Sequence, residues 1–303
     1  MDKSIIFASY AETDEQLQHI LFMTESIREF AGKYSVAPIS VYISDNYVEP
    51  KPIYFKKLQK LGAVIKTSKA PKESLWLYYS GKVYAAGMAE ADTDGKHEIL
   101  VWMDEDTIVL REPLDFDLDD NISFAYRPVM HNRSGSLFNE PPDEFWARIY
   151  ALLEIKEETL FSMETPADKQ TIRAYFNAGI LIVRPEKGIL RKWVTDFETL
   201  YADSTLISMS KNDITKRIFL HQTPLVGLLN IINKDQMIEL PETYNYPIFF
   251  HRQYEAVDEF CSIEDIVTLR YDYYFRDPDP NWSEKLKGSS KIIKWLEKRL
   301  GKE

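Results

Sequence analysis

Ile99-Leu100-Val101-Trp102-Met103-Asp104-Glu105-Asp106 decides how this chain is read. Five apolar residues without a polar break predict a strand buried on both faces, as in the parallel sheet of an α/β protein. Carboxylates at its end are costly to bury unless a cation or hydrogen-bond donors meet them. If the extended conformation continues, side chains alternate, so Asp104 and Asp106 share one side and Glu105 takes the other. Paired carboxylates there suit Mg²⁺ or Mn²⁺, hard cations held by one or two carboxylates plus the phosphates of a substrate. Open α/β sheets also bind ligands in the crevice beyond the carboxyl ends of their strands. The expectation is a metal–nucleotide site. The competing reading is an ordinary turn or cap, because Asp bonds readily to nearby backbone amides.

The bulk composition narrows the function classes. A length of 303 residues suffices for a large core in one or two domains. The excess of 48 acidic over 37 basic residues, a net charge of −11, argues against a general nucleic-acid binder. An acidic protein that handles phosphates needs a cation or a local basic cluster, which agrees with a metal site. Cys261 is the sole cysteine, so no intrachain disulfide can form and a reducing compartment is expected. The chain offers neither a long apolar span nor a signal-peptide core, and a cytoplasmic location is expected.

Outward from the acidic strand, the pattern alternates. Ser4 to Ser9 reads as a first strand, followed by a helix capped by Thr13 or Asp14 and stopped near Gly32. Ile39–Ile43 and Ala63–Lys66 read as strands with a short helix between them, and Leu75–Ala91 as the helix that leads into the acidic strand. Ile122–Tyr126 and Ala178–Val183 are further strand candidates. Phe145–Leu153, Leu190–Tyr201 and Phe219–Ile232 are helix candidates, and Arg127–Pro142 is a polar loop. The expected class is α/β, a mostly parallel mixed sheet flanked by helices, with one domain over residues 1–255 and a C-terminal elaboration over 256–303.

Four ordered blocks resemble the GT-A fold (nucleotide-diphospho-sugar transferase) glycosyltransferases, particularly family 8, the glycogenin and galactosyltransferase-like group. They are Ala8-Ser9-Tyr10; Ser80-Gly81-Lys82-Val83-Tyr84 running into Trp102-Met103-Asp104-Glu105-Asp106; Tyr175-Phe176-Asn177-Ala178-Gly179; and His221-Gln222-Thr223-Pro224, followed by Tyr244-Asn245-Tyr246. The resemblance implies an enzyme moving a sugar from a nucleoside-diphosphate donor, a UDP-sugar by analogy, with retention of configuration. The acceptor, a glycan, a lipid-linked sugar or a protein, stays open. Asp104 and Asp106 would hold Mn²⁺ or Mg²⁺, with His251 completing the sphere by order. Ser9 and Tyr10 would meet the base, Lys82 the phosphate or sugar, and the acidic motif, Glu105 included, the sugar nucleotide. Asn177 and Gln222 would orient the donor sugar for catalysis.

Two positions depart from that pattern. His221 stands where the family commonly has Asp, and the closing motif His-x-x-Gly-x-x-Lys-Pro-Trp is missing after His251, with Arg252 a replacement candidate for its lysine. A non-catalytic sugar-nucleotide-binding relative is therefore the alternative. A haloacid-dehalogenase-type phosphatase is excluded, because Thr107 follows the second Asp by one residue where two are needed. A pyrophosphorylase is excluded because Ala8–Asp14 has no Gly, Lys or Arg. Residues 283–300 form a basic amphipathic helix that suits either docking on its own domain or peripheral contact with an anionic membrane.

Overall fold

A computed structural model describes residues 3–47, 50–248, 262–271, 288 and 290–300. The acidic strand, β4 (Ile99–Met103), has all five residues buried and lies inside a seven-stranded sheet. Its neighbours are β1 (Ile5–Ala11), which runs parallel to it, and β9 (Phe176–Val183), which runs antiparallel. Beyond β1 come β2 (Ile39–Ser44) and β3 (Ala63–Ser68), both parallel. Beyond β9 come β6 (Phe124–Pro128), antiparallel, and β10 (Met237–Glu239), parallel to β6. The sheet order is β10-β6-β9-β4-β1-β2-β3, so the expected mixed, mostly parallel sheet is present.

Side-chain alternation along β1 divides the core. Ile5, Phe7 and Ala11 face helix α1 (Asp14–Phe30), where they meet Leu17, Ile20 and Ile27. Ile6, Ala8 and Tyr10 face helix α3 (Ser80–Thr93), where they meet Val83, Ala85 and Ala86. Thr13 caps α1, accepting from the Gln16 amide at 3.2 Å. The small residues of α3 let helix α5 (Ile189–Tyr201) approach closely: a Cβ on Gly87 would fall 2.5 Å from a Val194 methyl. The remaining elements are α2 (Pro52–Lys60), α4 (Glu144–Leu152), the hairpin β7 (Ser162–Glu164) and β8 (Thr171–Arg173), α6 (Ser204–Asn212) and α7 (Ile214–Phe219).

Three expectations are corrected. The helix read from Leu75 begins only at Ser80, because Tyr79 takes a left-handed conformation (φ 62°) that no helix can pass through. The helix read over Phe219–Ile232 is instead a 3₁₀ segment, Thr223–Asn230, behind α7. Pro224 withholds an amide there, and Gly227 is pressed so close to Asp196 that a Cβ would sit 1.8 Å from its carboxylate. The strand read from Ile122 starts at Phe124, since the Ser123 amide is taken by the Gln236 carbonyl at 2.8 Å.

A small second sheet positions the site. Its strands are β5 (Thr107–Val109), β11 (Tyr246–Pro247) and β12 (Thr268–Arg270), ordered β11-β12-β5. The antiparallel β12–β5 register sets Arg270 opposite Thr107, beside the acidic residues. Helix α8 (Ser290–Leu300) buries Leu296 and Leu300 in a cluster that Phe22 of α1 joins. Arg299 pairs with Glu25 at 2.6 Å and Lys291 with Glu29 at 3.0 Å, while Trp295 meets Phe30 edge-on. The buried side of this basic helix thus packs on the cluster around the small sheet, with α1 alongside. No described helix is long and apolar enough to cross a membrane.

Leu296→Ala removes the main apolar anchor of α8, a truncation worth about 2–5 kcal/mol in a packed core. Amide exchange over residues 290–300 is expected to accelerate by about 30-fold or more, with β1 and β4 unchanged; uniform exchange across the chain would contradict this docking.

Candidate functional site

The backbone leaves its strand at Met103. The Thr107 amide bonds to the Asp104 carbonyl at 3.2 Å, closing a turn over residues 104–107. The alternation predicted for a continuing strand survives, but the turn produces it. Arg270 reaches both outer carboxylates, with its Nε 3.0 Å from Asp106 Oδ2 and a terminal nitrogen 3.8 Å from Asp104 Oδ2. Glu105 turns away and accepts from Gln16 Nε2 at 2.9 Å. Burial, reinforced by the charges of Asp104 and Asp106, pushes the Glu105 carboxyl up to about 8.

Lys82 lies in the first turn of α3, aimed at the strand end. Its Nζ is 2.6 Å from Asp104 Oδ1 and 2.8 Å from Oδ2, and both side chains are nearly excluded from solvent at 8% and 9% exposure. Lys82 is therefore not a free surface lysine. The short distance on both oxygens marks a charge-assisted pair. Tyr10 packs against the same turn: a Cβ on Gly81 would fall 2.2 Å from its hydroxyl, so only glycine admits the ring. The Tyr10 hydroxyl donates to Glu12 at 3.1 Å. Burial, together with the Glu12 carboxylate, raises its pKa and keeps the phenol protonated.

Strand β9 brings Asn177 and Gly179 alongside. Asn177 Oδ1 accepts from the Gly179 amide at 2.7 Å and from Asn245 Nδ2 at 3.3 Å, which leaves its own Nδ2 to donate. A Cβ on Gly179 would lie 3.2 Å from Asp104 Oδ2, so the missing side chain opens the floor of the cleft. Gln222 Nε2 donates to the Tyr175 hydroxyl at 2.7 Å, leaving Oε1 to accept. His221 Nδ1 is 2.8 Å from the Ile218 carbonyl and must donate to it, so Nε2 carries the lone pair. Burial first, then the charges of Lys82 and Arg270, lower the His221 pKa well below the ordinary 6.5, against the pull of the Ile218 hydrogen bond.

These groups line one cleft open to solvent, Lys82, Asp104, Asn177, Arg270, His221 and Gln222 among them. Ser9 is separated from them. It lies mid-strand on the α1 side of β1, fully buried, with its hydroxyl unpartnered. Ser9 and Tyr10 therefore face opposite sides of the sheet. Tyr10 and Glu105 line a narrower recess with Glu12, Gln16 and Trp102. His251, like Arg252 and Cys261, lies outside the described residues. Among the described residues no group of three or more His, Cys, Asp or Glu converges as a metal-binding set. Sequence reasoning missed Arg270, Asn245 and the wall formed by Val129, Met130, His131, Arg133 and Ser134. Asn245 and Tyr175 lay inside motif blocks already singled out, whereas Arg270 carries no local signal.

Lys82→Met leaves a buried carboxylate without its nearest cation, which costs about 3–5 kcal/mol in comparable buried pairs. In chelator-treated buffer the urea midpoint should fall accordingly, and Lys82→Met/Asp104→Asn should recover most of the loss. His221 gives a pH signature. The unfolded chain takes up a proton on this ring near pH 6.5 and the folded chain does not, so stability present above that value is lost as pH falls. The slope approaches about 1.4 kcal/mol per pH unit. Between pH 7.5 and 5.5 (values chosen about the histidine range), His221→Asn should lose roughly 1 kcal/mol less than the parent chain.

Comparison with known proteins agrees with this architecture. Residues 12–226 match the Rhodobacterales glycosyltransferase domain. The structure resembles an active-site mutant of LgtC over 97% of this chain and 94% of that chain, at 13% identity and a TM-score of 0.51. The galactosyltransferase LgtC with donor and acceptor sugar analogs matches over 88% of this chain and 86% of that one, at 14% identity and a TM-score of 0.46. GlyE of Streptococcus pneumoniae TIGR4 matches over 98% of this chain and 61% of that chain, at 16% identity and a TM-score of 0.47. No curated protein matches the sequence. The first of these likenesses identifies the fold as GT-A, as the sequence blocks implied. The chain belongs to the Rhodobacterales glycosyltransferase domain family and is a glycosyltransferase.

Proposed function

We propose that the protein transfers a sugar from a UDP-sugar to an acceptor hydroxyl, with a divalent cation at Asp104 and Asp106 and with retention of configuration, in the manner of family 8. The observation that carries this reading is the acidic turn at the carboxyl end of β4, held by Lys82 and Arg270 at the floor of an open cleft. The turn fits a hard cation: Asp106 Oδ1 is buried and accepts no hydrogen bond, a cost that coordination would relieve. Bound there, Mn²⁺ or Mg²⁺ would supply Lewis-acid stabilisation of the leaving diphosphate.

The chain's own residues supply the rest. Lys82 holds Asp104 in place and adds positive charge beside the leaving group. Arg270 contacts both carboxylates and brings a second cation to the cleft. Asn177 Nδ2 and Gln222 Oε1, the amide atoms not already engaged, donate to and accept from donor-sugar hydroxyls. Neutral His221 accepts a hydrogen bond through Nε2. Among the described residues Asp104 is the sole carboxylate lining the cleft, and it is already ion-paired with Lys82. A glycosyl-enzyme needs a free carboxylate under the sugar, so attack by the acceptor on the leaving-group face is favoured. Tyr10, Glu12, Gln16 and Glu105 line the recess beside Lys82 that suits the base.

The test is thermal shift with Mn²⁺ and a panel of sugar nucleotides, alongside release of free nucleotide. At a hundred-fold excess over Kd, binding stabilises by about 2.7 kcal/mol, a Tm rise of roughly 5–10 °C for a chain of this size. A UDP-sugar is expected to give that rise only with the metal, and Asp106→Ala to abolish it with the fold retained. Absence of a metal-dependent shift with every donor would overturn the reading.

A further inference from the structure

Beside Lys82, Asp104 and Arg270 the cleft is lined by Arg133, Phe219 and Tyr79, whose ring lies 5.6 Å from Lys82 Nζ. Tyr79 stands 4.7 Å from the His221 ring and 6.4 Å from Tyr78, and the two tyrosines are 42% and 43% exposed. Arg217 lies over Tyr78 at 5.0 Å and Trp76 at 5.8 Å, and Lys211 lies over Trp76 at 5.6 Å. Three aromatic rings thus form a shelf leading out of the cleft, with cations laid on it.

The cations are unusual for this chain. With 48 acidic residues available to 37 basic ones, an arginine readily finds a carboxylate. Yet among the described residues neither Arg133 nor Arg217 makes an ion pair, and Arg217 Nε is buried without a hydrogen-bond partner. The nearby acids are committed elsewhere: Asp168 accepts from the Asn132 amide at 3.0 Å and Asp213 pairs with Lys216 at 3.5 Å. A guanidinium with open donors recognises an oxyanion through two parallel hydrogen bonds. Exposed tyrosine faces offer flat apolar area with a polar rim, which suits the C–H face of a sugar ring.

We propose that this shelf is the acceptor subsite and that the acceptor is an anionic saccharide, its charge met by Arg133 and Arg217 and its ring by Tyr78 and Tyr79. The proposal rests on the donor occupying the part of the cleft next to Lys82 and Asp104. An acidic protein repels anions at long range, so two arginines without a carboxylate partner, Arg133 on the cleft and Arg217 on the adjoining rings, select a charged acceptor from neutral ones.

The experiment titrates p-nitrophenyl β-glucuronide and p-nitrophenyl β-glucoside, which differ only in the carboxylate, into protein holding excess UDP and Mn²⁺. Binding is followed by saturation-transfer NMR. The glucuronide is expected to bind about tenfold more tightly. Arg133→Gln, at an exposed position, should cut that preference, and Arg133→Gln/Arg217→Gln should erase it while leaving the glucoside unchanged. Equal binding of the two sugars, no saturable glucuronide binding, or a preference that survives the double substitution would overturn the proposal. So would arginine-dependent binding to phosphatidylglycerol vesicles without sugar discrimination. The UDP signals in the same sample report the donor end separately, and the sugar preference is read whether or not UDP binds.

Discussion

Charge compensation at the end of β4 is the constraint around which the molecule is arranged. Three consecutive carboxylates follow the most buried strand of the sheet, and water is largely excluded from two of them. Burying such groups unpaired is prohibitive, whereas pairing each with a cation at hydrogen-bond distance offsets most of the cost. Each partner comes from a different part of the fold. Lys82 arrives on the first turn of α3, Arg270 on the edge strand β12, and Gln16 on α1 for the outward-turned Glu105. The late start of α3 belongs to the same arrangement, since the left-handed Tyr79 sets the turn that aims Lys82 at Asp104.

How much of this could be read in advance depended on the length scale of the signal. The buried strands β1, β4 and β9 were legible because a short, unbroken apolar run fits a doubly covered strand better than any surface element. The side on which Asp104 and Asp106 lie was anticipated for the wrong reason, since a hydrogen-bonded turn and not strand pleating separates them from Glu105. Thr223–Asn230 misled because a continuous apolar run fits a buried helix as well as a buried 3₁₀ segment, and only the Asp196 contact of Gly227 distinguishes them. The strands β5, β11 and β12 are too short to carry any period. Arg270, brought in by the last of them, could not have been chosen from among the chain's other arginines.

The cleft also resolves an apparent conflict in the composition. A chain of net charge −11 repels anions at long range. Locally the acids are matched by cations: Lys82 and Arg270 pair with Asp104 and Asp106, and Arg133 and the neutral His221 also line the cleft.

The bond from Arg270 to Asp106 spans 164 positions of sequence. The chain emerges from a ribosome at about 5–20 residues per second, and amino-terminal portions fold first. The three-acid turn is then complete long before its arginine has been synthesised. During that interval only Lys82 can neutralise it, and the nascent sheet carries a local excess of negative charge at its edge.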